Sequence, residues 1–471
     1  MHRSQSALEY LMTYGWAILI IVIVAAVLYS FGIFNPSSSI STTITGFSGL
    51  GSVNAVCLGG TSFTLVLGNS IGHLINITQI NLTSSSATVA YKPNVSIQSD
   101  TSATITVPGT TLCTAGSRYS VSSIITYTEP GQTFSGPYTS TGTVSGTAAS
   151  PPSSATSYEA LTINNTQSQA ASSPFQQMVN ITSTSSGWSS ISTSPFGQNV
   201  EFFSTTGRIL DSWLENYTST HAIWWVRLPL GIPADSKQVI YMGFAPASTN
   251  LFNNVNIGEA PQLSSTYGQY DDGANVFNLY QNFVGTQVPS GWITEGTPPT
   301  VNNGVTWSSS CSAIEYNTEV TSIDIYEMYF TELDTSTNAG FGLVRDINGN
   351  SYTNCGYLSD GSAVGEAYSG PTIFVTTCGC VLLNYNGGQY DTSSGYEIAP
   401  SIMGVTDQAG FDETYLGYIG QKFTNQITPP GEYWFFASSN GGSGSMKVQW
   451  ARSRAYPPSG VMPSVAFGSV Q

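Results

Sequence analysis

Little in this chain is equipped for chemistry, and the residues that are stand in one stretch, Ser322-Ile323-Asp324-Ile325-Tyr326-Glu327. Alternation along a strand, with a bulge before the last residue, would set Asp324 and Glu327 on one side of a sheet. Two carboxylates so placed are the minimum for cleaving a glycosidic bond, one as acid and one as nucleophile or base. Ser322 would share that side, but a serine cannot form the glycosyl ester that a carboxylate nucleophile forms. The three histidines, His2, His73 and His221, are too few and too scattered for a triad or a histidine-built metal site. No Gly-Lys-Ser/Thr phosphate loop and no Gly-x-Ser-x-Gly elbow occurs. The plain alternative for 322–327 is a strand with a polar face, and the chain is expected not to be an enzyme and to need no cofactor.

Other residues could bind without reacting. Tyr270-Asp271-Asp272-Gly273 offers oxygen ligands that suit a structural calcium ion, or else forms a polar turn between domains. Trp188, Trp213, Trp224 and Trp225 could stack on sugar rings, although most tryptophans of β-sandwiches are core. Trp224 and Trp225 are consecutive, so on a strand they face opposite sides and at most one is a platform.

Six Asn-x-Ser/Thr sequons, at Asn76, Asn81, Asn94, Asn164, Asn180 and Asn216, and six cysteines agree with an oxidising, extracytoplasmic compartment. Cys57 and Cys113 lie in one segment and are expected to form a disulfide. Cys311, Cys355, Cys378 and Cys380 lie in another and allow three pairings, with Cys378–Cys380 disfavoured by so short a loop. Zinc is the competing reading for the four, against which the spacings form no two close pairs.

Composition indicates what must position these residues. The chain has 471 residues, enough for two to four domains, with 8% charged and 12% aromatic residues. Abundant Ser, Thr, Asn and Gly beside 26 Tyr and 9 Trp point to β-domains with many turns, not to disorder. Net charge is −16 from 27 acidic and 11 basic residues, so the surface is mostly neutral and polar. No basic patch tracks phosphates, which excludes a nucleic-acid partner. Sparse charge also limits how far net charge swings with pH, so an acidic habitat is a hypothesis. It expects flat stability between about pH 2 and 7, and acid unfolding below about pH 4 would count against it.

At the N-terminus, His2 and Arg3 precede Gln5-Ser6-Ala7-Leu8-Glu9, and an uncharged stretch then runs from Tyr10 to Asn35. Trp16 to Phe34 is long enough for a membrane-crossing helix, ending at Asn35-Pro36. The basic pair on its N-terminal side predicts a cytoplasmic N-terminus, with everything after Asn35 outside. The apolar run is too long for an ordinary secretory peptide and ends without a small-residue cleavage site. These residues resemble the class III signal peptide of archaeal type IV pilins, as does Tyr10-Leu11-Met12-Thr13-Tyr14-Gly15-Trp16-Ala17. The resemblance implies removal of residues 1–4 by a prepilin peptidase, with Arg3, Ser4 and Gln5 as the processing residues. Gln5 would become the new N-terminus, and Glu9 would occupy the fifth mature position, where the family keeps a glutamate. Glu9 could then pair with the new α-amine of a neighbouring copy during assembly; its plain role is a capping box with Ser6.

Beyond the expected helix at 5–35, residues 36–148 read as a β-sandwich head. Ser62-Phe63-Thr64-Leu65-Val66-Leu67 and Ala103-Thr104-Ile105-Thr106-Val107 alternate as strands do, and 149–157 is the linker. Four strands are expected in 158–272: Gln177–Ile181, Val200–Phe203, Ile223–Leu228 and Gln238–Phe244. Trp225 to Pro229, Ile232-Pro233-Ala234 and Val239-Ile240-Tyr241 resemble a small β-domain of archaeal and bacterial surface proteins. In that family a concanavalin-like lectin/glucanase sandwich often follows. Residues 273–471 are similar to it at Val276-Phe277, at Phe283, at Pro289-Ser290-Gly291-Trp292 and in the close from Val448 to Gly468. Strands are expected there at Ser322–Glu332, Ala339–Arg345, Gly431–Ala437 and Met446–Ala451. Glucan-cleaving members carry Glu-x-Asp-x-x-Glu on one strand, and here Ser322 stands in place of the first glutamate.

The fold class expected is therefore mainly β: an N-terminal transmembrane or filament-core α-helix followed by β-sandwich domains, the last a concanavalin-like jelly roll. The function expected is a structural subunit of an archaeal type IV pilus-like surface filament. Its partners would be copies of itself, the prepilin peptidase and assembly machinery, the membrane before assembly, and glycans or cell surfaces. The alternative is a monomeric membrane-anchored lectin-like protein of the cell exterior.

Overall fold

The computed structural model of the chain describes residues 43–307 except 110, residues 312–318 and 446–470, and the strands that lie between those last two segments. Contacts divide the chain into two compact units, Met1–Pro151 with Thr205–Gly207, and Pro152–Ser204 with Arg208–Gln471. Among the described residues the chain is mainly β, and no helix is long and apolar enough to cross a membrane. The fold class is corrected accordingly: helix is confined to short turns among the described residues, and the β-domains are what the structure carries. The helix expected over 5–35, with Arg3, Ser4, Gln5 and Glu9, lies outside the described residues.

In the first unit one sheet runs in the order Thr43–Gly46, Tyr138–Thr147, Arg118–Thr128, Ile75–Thr83 and Thr88–Tyr91. A second sheet holds Leu50–Leu58, Ser62–Asn69 and Ser102–Pro108. Arg118–Thr128 alternates exposed and buried residues along most of its length, the period of a strand with one wet face. Its Val121 and Ile125 meet Phe63, Leu65 and Leu67 of the other sheet in one core. The expected strands 62–67 and 103–107 pair with each other, Phe63 opposite Val107 and Leu65 opposite Ile105. Cys57 and Cys113 are joined as a disulfide inside this core, as expected. Cys311, Cys355, Cys378 and Cys380 lie outside the described residues.

The second unit contains two sandwiches. The first packs the sheet Ile209–Leu210, Val200–Ser204, Ser236–Phe244, Ser157–Asn165, Ser464–Val470 on the sheet Phe175–Thr182, His221–Leu228, Ser212–Tyr217, Ile257–Glu259. Between them lie Leu161, Ile163, Val179, Phe202, Trp224, Val226 and Met242. The last strand of the chain thus completes a sheet begun three hundred residues earlier, with Thr162 opposite Ala466 and Ile163 opposite Val465. Val465, Phe467 and Val470 add their side chains to that core.

The second sandwich has an eight-stranded sheet centred on Met446–Ala455 and Asp324–Leu333 and a seven-stranded sheet centred on Glu432–Ser438 and Ala339–Arg345. The paired strands within both sheets run antiparallel. Two broad antiparallel sheets are the architecture of a β-sandwich.

Candidate functional site

Asp324 and Glu327 do not form a catalytic pair. The register from Asp324 to Tyr329 against Met446–Ala455 is regular, and its first shift falls between Tyr329 and Phe330. The bulge expected before Glu327 is therefore absent, and residues three apart on a regular strand point to opposite faces. Asp324 shares a face with Ser453 and accepts from its Oγ at 3.0 Å and from Asn278 Nδ2 at 2.9 Å. Glu327 faces the other way and accepts from Arg452 Nε at 2.5 Å and from Arg454 Nη2 at 2.9 Å. Ser322 lies outside the described residues.

Glu327 belongs to a buried clamp. Arg452 lies with its other end, Nη1, 2.7 Å from Glu215 Oε2, and Glu215 also accepts from Trp225 Nε1 at 2.7 Å. The Arg452 guanidinium lies 4.6 Å from the ring centre of Trp450, 4.7 Å from Trp225, 4.8 Å from Phe277 and 5.6 Å from Trp213. Burial would lower its pKa, and Glu327 with Glu215 more than offsets this, so the guanidinium stays charged. Two arginines face two carboxylates, the balance that a dry ion cluster requires. Glu215, Trp213 and Trp225 come from the first sandwich and Glu327, Arg452, Arg454 and Trp450 from the second, so the clamp ties the two together. All are buried, which leaves a substrate no approach.

Asp271 is likewise a bracket. Its Oδ1 accepts from Trp213 Nε1 at 2.8 Å and Gly273 N at 3.0 Å, and its Oδ2 from Tyr280 Oη and Asn282 Nδ2, each at 2.8 Å. Four donors occupy the positions a calcium ion would need, and among the described residues no acidic cluster has the geometry of a metal site. Asp272 is buried with Oδ1 held by Asn275 Nδ2 at 2.6 Å, and burial pushes its carboxyl up to about 7. The 270–273 stretch is thus a turn secured from within.

Of the tryptophans considered as platforms, Trp213, Trp224 and Trp225 are core, and Trp188 is half-buried. Trp224 and Trp225 face opposite sides as expected, one into the first sandwich and one into the clamp. The exposed aromatic surface is elsewhere. Tyr217 is 43% exposed and stacks on Phe196, with centroids 4.2 Å apart and planes 7° from parallel. Phe196 rests in turn on Trp188 at 5.8 Å and Trp224 at 6.1 Å, so a rigid column supports the outer ring. The turns that follow Tyr217 and Thr182 carry hydroxyls of their own. Thr218 Oγ1 lies 2.9 Å from His221 Nδ1, Thr182 Oγ1 lies 2.9 Å from Thr184 Oγ1, and Ser183 N donates to Thr220 O at 2.8 Å. A part-exposed aromatic ring held on such a column can stack on the apolar face of a sugar. Sequence reasoning passed over Tyr217 and Phe196, which lie twenty-one positions apart in unrelated local contexts. The one local signal was an aromatic residue immediately before a Thr-Ser-Thr turn.

No family model matches the chain. A protein named "Uncharacterized protein 562" of Sulfolobus islandicus rod-shaped virus 1 is 38% identical over 141 residues, which cover 29% of this chain and 23% of that protein. The chain therefore spans about a quarter of the length of this curated relative. Among solved structures, the exoplasmic/lumenal domain of VIP36 is 13% identical, with a TM-score of 0.27 over 39% of this chain and 95% of that one. A legume lectin-like domain from Entamoeba histolytica is 12% identical, with a TM-score of 0.26 over 35% and 89%. The Trypanosoma rangeli sialidase is 9% identical, with a TM-score of 0.27 over 87% and 82%. At TM-scores this low none carries an argument about this site.

Proposed function

We propose that this chain is an extracytoplasmic carbohydrate-binding protein, in which a sugar ring stacks on Tyr217. The observation that carries the reading is an exposed tyrosine held parallel on Phe196. A disulfide in the first unit and a surface almost without cations fit a neutral ligand met outside the cytoplasm. The lack of a carboxylate pair at 324–327 favours binding over hydrolysis there, because the clamp consumes Glu327 and the regular register sets Asp324 on the opposite face. The filament-subunit reading rests on residues 1–35, outside the described residues, and nothing in the described β-domains supports it.

The test is a glycan array probed with the full chain and with Tyr217→Ala. An aromatic stacking contact is worth about 0.5–1.5 kcal/mol, so the substitution should weaken binding to any recognised glycan by about 2- to 12-fold while leaving the fold intact. Binding unchanged by Tyr217→Ala, or no glycan bound at all, overturns the reading.

A further inference from the structure

The six sequons are alike in sequence and unlike in structure. Asn76 and Asn81 both lie on Ile75–Thr83, an inner strand paired on both sides. The Oδ1 of Asn76 is buried, and that of Asn81 accepts from Gln79 Nε2 at 2.8 Å. Asn164 is half-buried in an inner row between Lys237 and Ser464. Asn94, Asn180 and Asn216 are exposed. Asn94 stands alone in a turn of the first unit, with a φ of 47°.

Asn180 and Asn216 belong together. Asn180 pairs with Ile223 from one side, and Asn216 pairs with the same Ile223 from the other. A shift in register between Leu214 and Asn216 makes this possible. The bulged Glu215 turns into the clamp, and Asn216 is brought into line with Ile223 on the face that Asn180 shares. Two interstrand steps separate the asparagines by about 10 Å. Among the described residues neither side-chain amide is engaged in a hydrogen bond, whereas the +2 hydroxyls Thr182 and Thr218 are both at the surface.

We propose that Asn180 and Asn216 are a paired N-glycan acceptor site, two glycans rising from one row of the sheet on either side of Ile223. The co-reactant is an oligosaccharide carried on a lipid phosphate and handled by a membrane transferase. The asparagine amide nitrogen attacks the anomeric carbon, an N–C bond forms, and the C–O bond to phosphate breaks. The lipid phosphate leaves with the electron pair, and the amide gives up one proton to a base of the transferase. Such glycans extend away from the aromatic column, because Tyr217 follows Asn216 on the strand and points to the other face. The proposal rests on the extracytoplasmic part of the reading above.

Peptide mapping by mass spectrometry on the full chain from its native host tests it, together with Asn180→Gln and Asn216→Gln. Both peptides should carry a glycan, and the intact mass should fall by one glycan in each variant and by two in the double variant. Asn76 and Asn81 should be unmodified. A bare Asn180 or Asn216 in most molecules overturns the proposal, and so does a glycan on Asn76. Bare asparagines with glycan-array binding that depends on Tyr217 would sink this inference alone. Bare asparagines with no glycan bound would sink the proposed function with it.

Discussion

Glu159 makes the chain's response to pH predictable. Its carboxyl is fully buried on the core side of Ser157–Asn165, between Met242 on one neighbouring strand and Val470 on the other. Oε2 accepts from Gly187 N at 3.2 Å, and Oε1 has no partner among the described residues. The elements packed around it bring no cation close. Ser186–Ser190 and Ser464–Val470 carry no charged residue, and Lys237 of Ser236–Phe244 sits far along the strand, opposite Asn164. Burial therefore raises its pKa from an ordinary 4.5 to about 7, the Gly187 bond opposing only weakly. Held protonated in the fold and ionised in the unfolded chain, Glu159 contributes stability that is complete below about 4.5. That contribution is lost as pH rises through about 7. A rise of this size is worth about 3 kcal/mol at ~1.4 kcal/mol per pH unit. Urea unfolding followed by tryptophan fluorescence between pH 4 and 8 reads it directly. Glu159→Gln, which keeps the shape and cannot ionise, should match the parent within about 1 kcal/mol at pH 4 and exceed it by about 2–3 kcal/mol at pH 8. Parallel curves for parent and variant would refute the reasoning. Glu201, Glu259, Asp271 and Asp272 are raised by burial in the same direction. The profile should accordingly climb toward acid instead of lying flat, a stronger form of the acid-habitat hypothesis.

Two further outcomes follow from the clamp and the disulfide. Arg452→Met leaves Glu215 and Glu327 buried with one shared partner gone, and should cost about 3–5 kcal/mol in urea unfolding of the second unit. If that variant unfolds at the parent's urea concentration, the clamp is not what joins the two sandwiches. Replacing both Cys57 and Cys113 with serine opens a loop between residues 56 positions apart. Loop entropy sets the upper loss at about 4 kcal/mol, and the loss should be confined to the first unit, as limited proteolysis of each unit would report.

What the sequence determined by itself was local. Period-two alternation revealed the strands 62–67 and 103–107, and strand geometry put the consecutive Trp224 and Trp225 on opposite faces, because neighbouring side chains on any strand must diverge. Two cysteines alone in one segment disclosed their own pairing. The identity of the partners across a sheet was not legible, since pairing depends on residues far apart in the chain. Asp324 and Glu327 looked like a catalytic pair until register against Met446–Ala455 turned them apart and supplied Arg452 as a partner. Tyr217 gained the ring stacked beneath it only when folding brought Phe196 there. The final strand gave no sign that it would leave its own sandwich to complete the sheet around Glu159. Tertiary structure decided these points because desolvation and stacking depend on which distant side chains are brought within a few ångströms, and spacing along a chain does not encode that distance.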